Sequence, residues 1–150
     1  MVDVLEGEYA PSTAQWVRDQ VAAYESSDGQ QAGTLRETGL PIIVVTMRGK
    51  KTGKVRKIGL MRVEHGGEYA LVGSRGGAPT HPAWVYNLRA NPDDVVIQDG
   101  SRRFQVRVRE LSGAERDVWW QRAVAAYSNY SEYQQRAAGR VIPVFLATPT

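Results

Sequence analysis

A chain of 150 residues with 19 Lys and Arg against 16 Asp and Glu, a formal net charge of +3 and 42% hydrophobic residues is the size of one globular domain, large enough to bury a core without covalent staples. It contains no cysteine, which excludes disulfides and thiolate metal sites, and its two histidines, His65 and His81, lack the spacing of a metal pair. The modest charge disfavours a long polyanion as partner; the acidic first residues and the lack of a long apolar run predict neither a signal peptide nor a membrane span, hence a cytoplasmic protein.

From the N-terminus, Ser12 and Gln15 read as a capping box opening a helix to about Tyr24, with Trp16, Val17, Val21 and Tyr24 as its apolar stripe. Residues 26–33, rich in Ser, Gln and Gly, read as a flexible connector, so the chain divides into an N-terminal helix and connector over 1–33 and a main body over 34–150. The run 41–47 is a buried strand and 55–64 a second. Between them Arg48-Gly49-Lys50-Lys51-Thr52-Gly53-Lys54-Val55-Arg56-Lys57 holds six cations and no acid, and Gly53 suits a left-handed turn. Backbone N–H groups, a hydroxyl and several cations on one hairpin tip suit a phosphate or carboxylate. The competing reading is a solvated turn whose lysines discourage edge pairing.

Gly66-Gly67 turns the chain into a strand over 68–73 that continues the meander. Gly73-Ser74-Arg75-Gly76-Gly77-Ala78 then leaves that strand and leads into a helix over 82–90 with Pro at its start. Gly76 and Gly77 would let backbone lie against a ligand, with Ser74 and Arg75 at the mouth; a tight turn that needs glycine is the alternative. Strands over 94–98 and 102–110 flank a turn at Asp99-Gly100, and Phe104, Val106 and Val108 alternate with Arg103, Gln105, Arg107 and Arg109. A second capping box, Ser112 with Glu115, opens a helix to about Tyr127, and Tyr127, Tyr130 and Tyr133 follow at intervals of three. A closing strand over 141–146 contains Pro143, which suits an edge or a strand end. The pattern predicts a mainly β, α+β single-domain barrel of about six antiparallel strands with three to four helices around it. Two glycine-and-cation loops beside Trp84 and a tyrosine triplet fit a flat, anionic, aromatic cofactor.

Taken in order, Gly49-Lys50-Lys51-Thr52-Gly53-Lys54-Val55-Arg56, Gly73-Ser74-Arg75-Gly76-Gly77-Ala78 and His81-Pro82-Ala83-Trp84-Val85-Tyr86-Asn87-Leu88-Arg89-Ala90-Asn91-Pro92, together with the tyrosine run and Ile142-Pro143-Val144-Phe145, closely resemble the deazaflavin (coenzyme F420)-dependent nitroreductase and quinone reductase family of actinobacteria. The resemblance implies a split β-barrel related to flavin reductases of the pyridoxamine-phosphate-oxidase type. It also implies hydride transfer from reduced F420 to an electron-poor acceptor such as a quinone, an enone or a nitroaromatic. By position, Lys50, Lys51, Thr52, Gly53, Arg56 and the stretch Lys57, Ile58 and Gly59 would hold the phosphate and tail. Ser74, Arg75, Gly76, Gly77 and Ala78 would lie along the deazaflavin ring, with Trp84 and Asn87 in support. Trp16, Met61, Tyr127, Tyr130 and Tyr133 would wall the substrate side, and Met61 stands where the nitroreductase branch carries Tyr. Ser74 and Tyr130 are the candidate catalytic donors to the acceptor oxygen, and no metal is implied.

The remaining partners follow the same lines: a small-molecule acceptor, a transient contact with the inner face of the cell membrane if that acceptor is a lipid quinone, and a monomer or homodimer. Two alternatives stand beside F420. FMN on the same barrel would use the same cationic hairpin for its phosphate. A nucleic-acid-binding module is the weaker one, because the wet face bearing Arg103, Arg107 and Arg109 is interrupted by Asp99 and Glu110.

Overall fold

The β-branched run after Pro41 forms strand β1 (Ile42–Arg48), and its two faces serve two different packing layers in the computed structural model, which describes residues 5–34, 39–137 and 139–150. Ile43, Val45 and Met47 join Trp84, Val85 and Leu88 of helix α2 (Ala83–Ala90) and Val106 and Val108 of strand β6 (Arg102–Glu110) in one core. Ile42 and Val44 join a second core with Val21 and Tyr24 of α1 (Gln15–Ser26), Trp119 of α3 (Gly113–Ala126) and Tyr130 of α4 (Asn129–Arg136). A strand buried on both faces leaves little room for polar side chains, which is why 41–47 reads as an apolar run broken only by the buried Thr46.

The other strands are β2 (Val55–Met61), β3 (Glu64–His65), β4 (Glu68–Val72), β5 (Val95–Asp99) and β7 (Val144–Pro149). They form one antiparallel sheet in the order β2-β1-β5-β6-β7-β4-β3. Only Arg62 and Val63 separate the two end strands, β2 and β3, so the sheet curls until its ends meet on one bent stretch of chain. The Ala70 N–H donates to the Val63 carbonyl at 2.9 Å across that bend. This is the expected split barrel; the seventh strand appears because the strand predicted over 55–64 breaks at the bend.

Several local expectations shift. α1 begins at Gln15 with Ala14 as its N-cap and no side-chain cap. The Ser12 hydroxyl instead accepts the Ala14 N–H at 3.2 Å, and Gln15 donates to Asp19. The buried stripe is Val17, Val21 and Tyr24, at i, i+4 and i+7. Trp16, one residue off that stripe, is 45% exposed. Ser112 is the N-cap of α3 as expected but makes no side-chain cap bond, and the Glu115 carboxylate accepts from the Arg109 guanidinium instead of closing a capping box. The hairpin turn after β5 lies at Gly100-Ser101, one residue later than predicted, with Asp99 paired to Arg102. The closing strand starts at Val144 and pairs with both β4 and β6, so Pro143 sits just outside an interior strand, where its missing N–H removes no ladder bond.

The stretch after α1, read from sequence as flexible, is hydrogen-bonded and packed. The Gly29 N–H donates to the Tyr24 carbonyl at 2.8 Å, and a β-carbon on Gly29 would come within 2.6 Å of the Gly100 Cα. The Tyr24 hydroxyl accepts the Gly100 N–H at 2.7 Å, pinning α1 to the turn after β5. Among the described residues no helix is long and apolar enough to cross a membrane.

Candidate active site

β1 and β2 pair in register from Ile42 opposite Met61 to Arg48 opposite Val55, which leaves residues 49–54 as their loop. The Gly49 N–H donates to the Lys54 carbonyl at 2.7 Å and the Gly53 N–H to the Gly49 carbonyl at 3.0 Å. Gly53 closes the turn at φ +70°, where a side chain is disfavoured. The six cations of the hairpin divide into two sets. Arg48 pairs with Asp94 at 3.4 Å, Lys54 with Glu8 at 3.3 Å and Lys57 with Glu25 at 2.8 Å. Among the described residues no ion pair engages Lys50, Lys51 or Arg56.

These three face a cleft of about 750 Å³, lined also by Gly49, Thr52, Arg75, His81, Pro82, Ala83, Tyr86 and Asn87. The barrel thus brings the hairpin tip, the arginine of the glycine-rich loop and the first turns of α2 together as the sequence suggested. Among the described residues no carboxylate lines the cleft. Its polar side chains are four cations, the Thr52 and Tyr86 hydroxyls, the His81 imidazole and the Asn87 amide, with the exposed Tyr86 ring on one side. Asn87 fixes the spacing of the walls, because its Oδ1 accepts the Lys50 N–H at 2.9 Å.

The glycine-rich loop forms a short 3-10 turn (Arg75–Gly77) in which Arg75, Gly76 and Gly77 have φ of +46°, +61° and +81°. A non-glycine residue held there costs about 1–2 kcal/mol, strain that persists only where the surroundings enforce it. The strain aims the Arg75 side chain at the cleft, where its Nη1 also donates to the Thr80 hydroxyl. The two glycines differ in role. A β-carbon on Gly76 would meet nothing within 4 Å, whereas one on Gly77 would stand 2.8 Å from the Tyr133 carbonyl oxygen and 2.8 Å from the Arg136 Cβ. The neighbour that requires glycine at position 77 is α4. Gly76 is the one with open space before it.

Behind the loop lies a residue that the sequence did not single out. The Arg140 guanidinium donates to the carbonyls of Ala78 at 2.9 Å, Gly73 at 3.1 Å and Ser74 at 2.8 Å, and contacts His81 Nδ1 at 2.7 Å. Arginine has only donors, so His81 Nδ1 accepts and the ring is neutral with its proton on Nε2. Burial, with Arg140 and then Arg89 nearby, holds the His81 pKa below its ordinary value.

Met61, Tyr127, Tyr130 and Tyr133 are brought together in the second core. Tyr127 and Tyr130 meet edge to face at 5.1 Å, and the Tyr127 and Tyr133 hydroxyls lie 2.9 Å apart. Tyr130 is 4% exposed, and burial holds its hydroxyl far above the usual tyrosine range, so it stays protonated. α4 presses on the turn that follows Ser74, through the contact at Gly77, and Ser74 itself is buried.

Other predicted residues lie elsewhere. Trp84 packs in the first core, its ring 6.2 Å from that of Phe145. Lys57 turns away to Glu25, Ile58 packs against the first core, and Gly59 lies beneath Gln20 of α1. Trp16 is on the outer surface of α1. The sequence reading assigned no role to His81, Pro82, Ala83 and Tyr86, although the strand-loop-helix junction and the Pro at the helix start marked their position.

A family model described as "F420H(2)-dependent quinone reductase" matches residues 16–149. A protein named F420H(2)-dependent quinone reductase from Mycobacterium tuberculosis is 36% identical over 111 residues, 72% of this chain and 73% of its own. A solved structure titled as an F420-H2 dependent reductase (FDR-A) is 49% identical, with a TM-score of 0.67 over 71% of this chain and 93% of that one. Another, titled a domain-swapped dimer, is 44% identical, with a TM-score of 0.70 over 91% of this chain and 99% of that one. A FAD-binding protein from Mesorhizobium loti, 14% identical with a TM-score of 0.52 over 72% of this chain and 78% of that one, shares the fold.

Proposed function

The chain belongs to the F420H(2)-dependent quinone reductase family, and from that premise we propose that the cleft between the β1–β2 loop and α2 holds coenzyme F420 while the acceptor docks beside the tyrosine cluster. The protein is an F420-dependent oxidoreductase with a small-molecule acceptor of the quinone type. When bound, F420H2 supplies the hydride.

The observation that carries the cofactor assignment is the division of the hairpin cations. Arg48, Lys54 and Lys57 have carboxylate partners, and those without any among the described residues, Lys50, Lys51 and Arg56, line the cleft with Arg75. Four cations converging on a space with no carboxylate in its wall among the described residues repel one another until an anion enters. A phosphate-bearing, polyanionic cofactor with an aromatic ring fits that donor set, and the volume suits a ligand larger than a lone phosphate. Lys50, Lys51, Arg56 and Arg75 are assigned to its negative charges, and the Thr52 hydroxyl with the backbone N–H groups of Lys51 and Thr52 to hydrogen bonds, since the N–H groups of Gly49, Lys50 and Gly53 donate within the protein. Gly76, whose missing side chain faces open space, is assigned to close backbone approach, and Asn87 to the spacing of the walls.

On the acceptor side the protein must exclude water and donate to an oxygen that gains charge as the hydride arrives. Tyr130 and Ser74 are assigned to that donation. What supports Tyr130 is that its buried hydroxyl keeps its proton and that its helix presses on the turn after Ser74. A neutral phenol donates and does not abstract, so it acts as a general acid or polariser. Met61 and Tyr127 shape the wall beside it. The domain-swapped relative supports a homodimer as the assembly.

The test is a titration of the protein with F420, followed by quenching of its fluorescence, and then steady-state oxidation of F420H2 with a quinone, an enone and a nitroaromatic. Saturable binding that weakens with salt, and turnover fastest with the quinone, is the expected result. No binding at low ionic strength overturns the assignment of the cleft.

A further inference from the structure

We propose that Arg140 is a positioning residue for the F420 reaction: its guanidinium, planted behind the glycine-rich loop, sets the conformation in which Ser74, Arg75 and Gly76 meet the cofactor. The inference rests on the functional reading above for what the loop touches, and on geometry alone for the clamp.

α4 packs on the loop at Gly77, but the loop's own backbone hydrogen bonds are few. Its backbone takes three successive positive φ angles, one of them at Arg75, where the left-handed region is unfavourable. Within the turn the Gly77 N–H donates to the Ser74 carbonyl at 2.9 Å and the Ala78 N–H to the Arg75 carbonyl at 3.1 Å. Those two bonds leave the carbonyls of Gly73 and Ala78 to find donors elsewhere, and Arg140 supplies both while adding a second donor to Ser74. One planar fork therefore ties the first two residues of the loop to its last. The contact with His81 Nδ1 carries the same clamp to the N-terminal side of α2, which lines the cleft.

Arg140 is itself held in place. Gln134 of α4 donates to the Arg140 carbonyl at 2.8 Å and accepts the Ile142 N–H at 3.1 Å, fixing the chain between α4 and β7. Its Nε, Nη1 and Nη2 all donate to protein acceptors, so the guanidinium is engaged before any ligand arrives. That separates it from Lys51 or Arg56, which have no carboxylate partner among the described residues, and makes it a residue that acts through the loop and not by touching the substrate.

The experiment compares the parent with Arg140→Lys and Arg140→Met. Lysine keeps the charge, but an ammonium is a point donor that cannot span three carbonyls and an imidazole at once. Amide exchange at Gly77 and Ala78 is measured against Val45 and Ile97 in the barrel, alongside F420 affinity and the KM for the acceptor. The expected result in Arg140→Lys is exchange at the two loop amides faster by about tenfold or more, with the barrel amides unchanged. F420 affinity falls by about tenfold and the acceptor KM stays at the parental value; Arg140→Met shows larger changes in the same two quantities. Loop exchange equal to the parent in both variants overturns the clamp. Faster loop exchange with parental F420 affinity leaves the clamp standing but overturns its role in the reaction. Barrel amides that lose protection together with the loop make Arg140 a general stability residue and also overturn the proposal. A parent that binds no F420 sinks the functional reading instead, a failure distinguishable from the others because the exchange comparison needs no ligand.

Discussion

Gly76 and Gly77 are adjacent, both have positive φ, and substitution by alanine separates what each is for. At Gly76 the new β-carbon meets nothing, so only the left-handed conformation opposes it, about 1–2 kcal/mol, partly offset by about 0.4–1 kcal/mol from the stiffer unfolded chain. The net destabilisation is about 1 kcal/mol or less. At Gly77 the same backbone term applies, and the β-carbon would stand 2.8 Å from the Tyr133 carbonyl oxygen and 3.0 Å from its Cα. Helix backbone does not yield as a flexible side chain does, so an overpacking term of about 1–3 kcal/mol is added, for a total of about 1–4 kcal/mol. Urea denaturation followed by circular dichroism measures both, compared at equal m-values. The F420 titration should show the reverse order per unit of stability lost: Gly76→Ala intrudes into the space assigned to the cofactor, while Gly77→Ala acts through the position of α4. Equal stability losses in the two variants would refute the assignment of Gly77 to helix packing. Parental F420 affinity in Gly76→Ala would place the cofactor away from this loop.

Lys51→Ala and Arg56→Ala should each weaken F420 binding by about 1 kcal/mol, roughly fivefold, since solvent screens the exposed Lys51 and reaches the half-buried Arg56, and the loss should shrink as salt is added. Parental binding by both at low ionic strength would make the hairpin a solubilising turn. Tyr130→Phe keeps the ring in its cluster and removes the hydroxyl, so F420 affinity should hold while turnover falls by about ten- to a thousandfold; full turnover there together with collapse in Ser74→Ala gives the donor role to Ser74. His81 has a folded pKa lowered from 6.5, so the unfolded chain binds more protons as the pH falls. Its contribution to stability is complete above about pH 6.5 and is lost as the pH falls through the folded value, and His81→Gln should flatten that part of the stability profile.

Much of the architecture was legible because it depends on neighbours in sequence. The alternation of Phe104, Val106 and Val108 with arginines sets which face of β6 is buried, and the doubly apolar run at 41–47 marks a strand packed on both sides. The turns at Gly53 and Gly66-Gly67 follow from residues that tolerate positive φ, and the density of cations in residues 48–57 singled out the loop that lines the cleft. Which cations are free was not legible, because the partners that occupy the others, Glu8, Glu25 and Asp94, are delivered by separate segments once the chain has closed. The two adjacent glycines look alike in sequence and acquire different roles only when α4 arrives against one of them. Arg140 carried no signal at all, since the carbonyls it gathers lie 62 to 67 residues earlier in the chain. Periodicity and turn chemistry are settled by spacing of a few residues; the pairing of charges, the covering of a backbone and the closing of a cleft are settled by which distant segments the barrel brings to the same place.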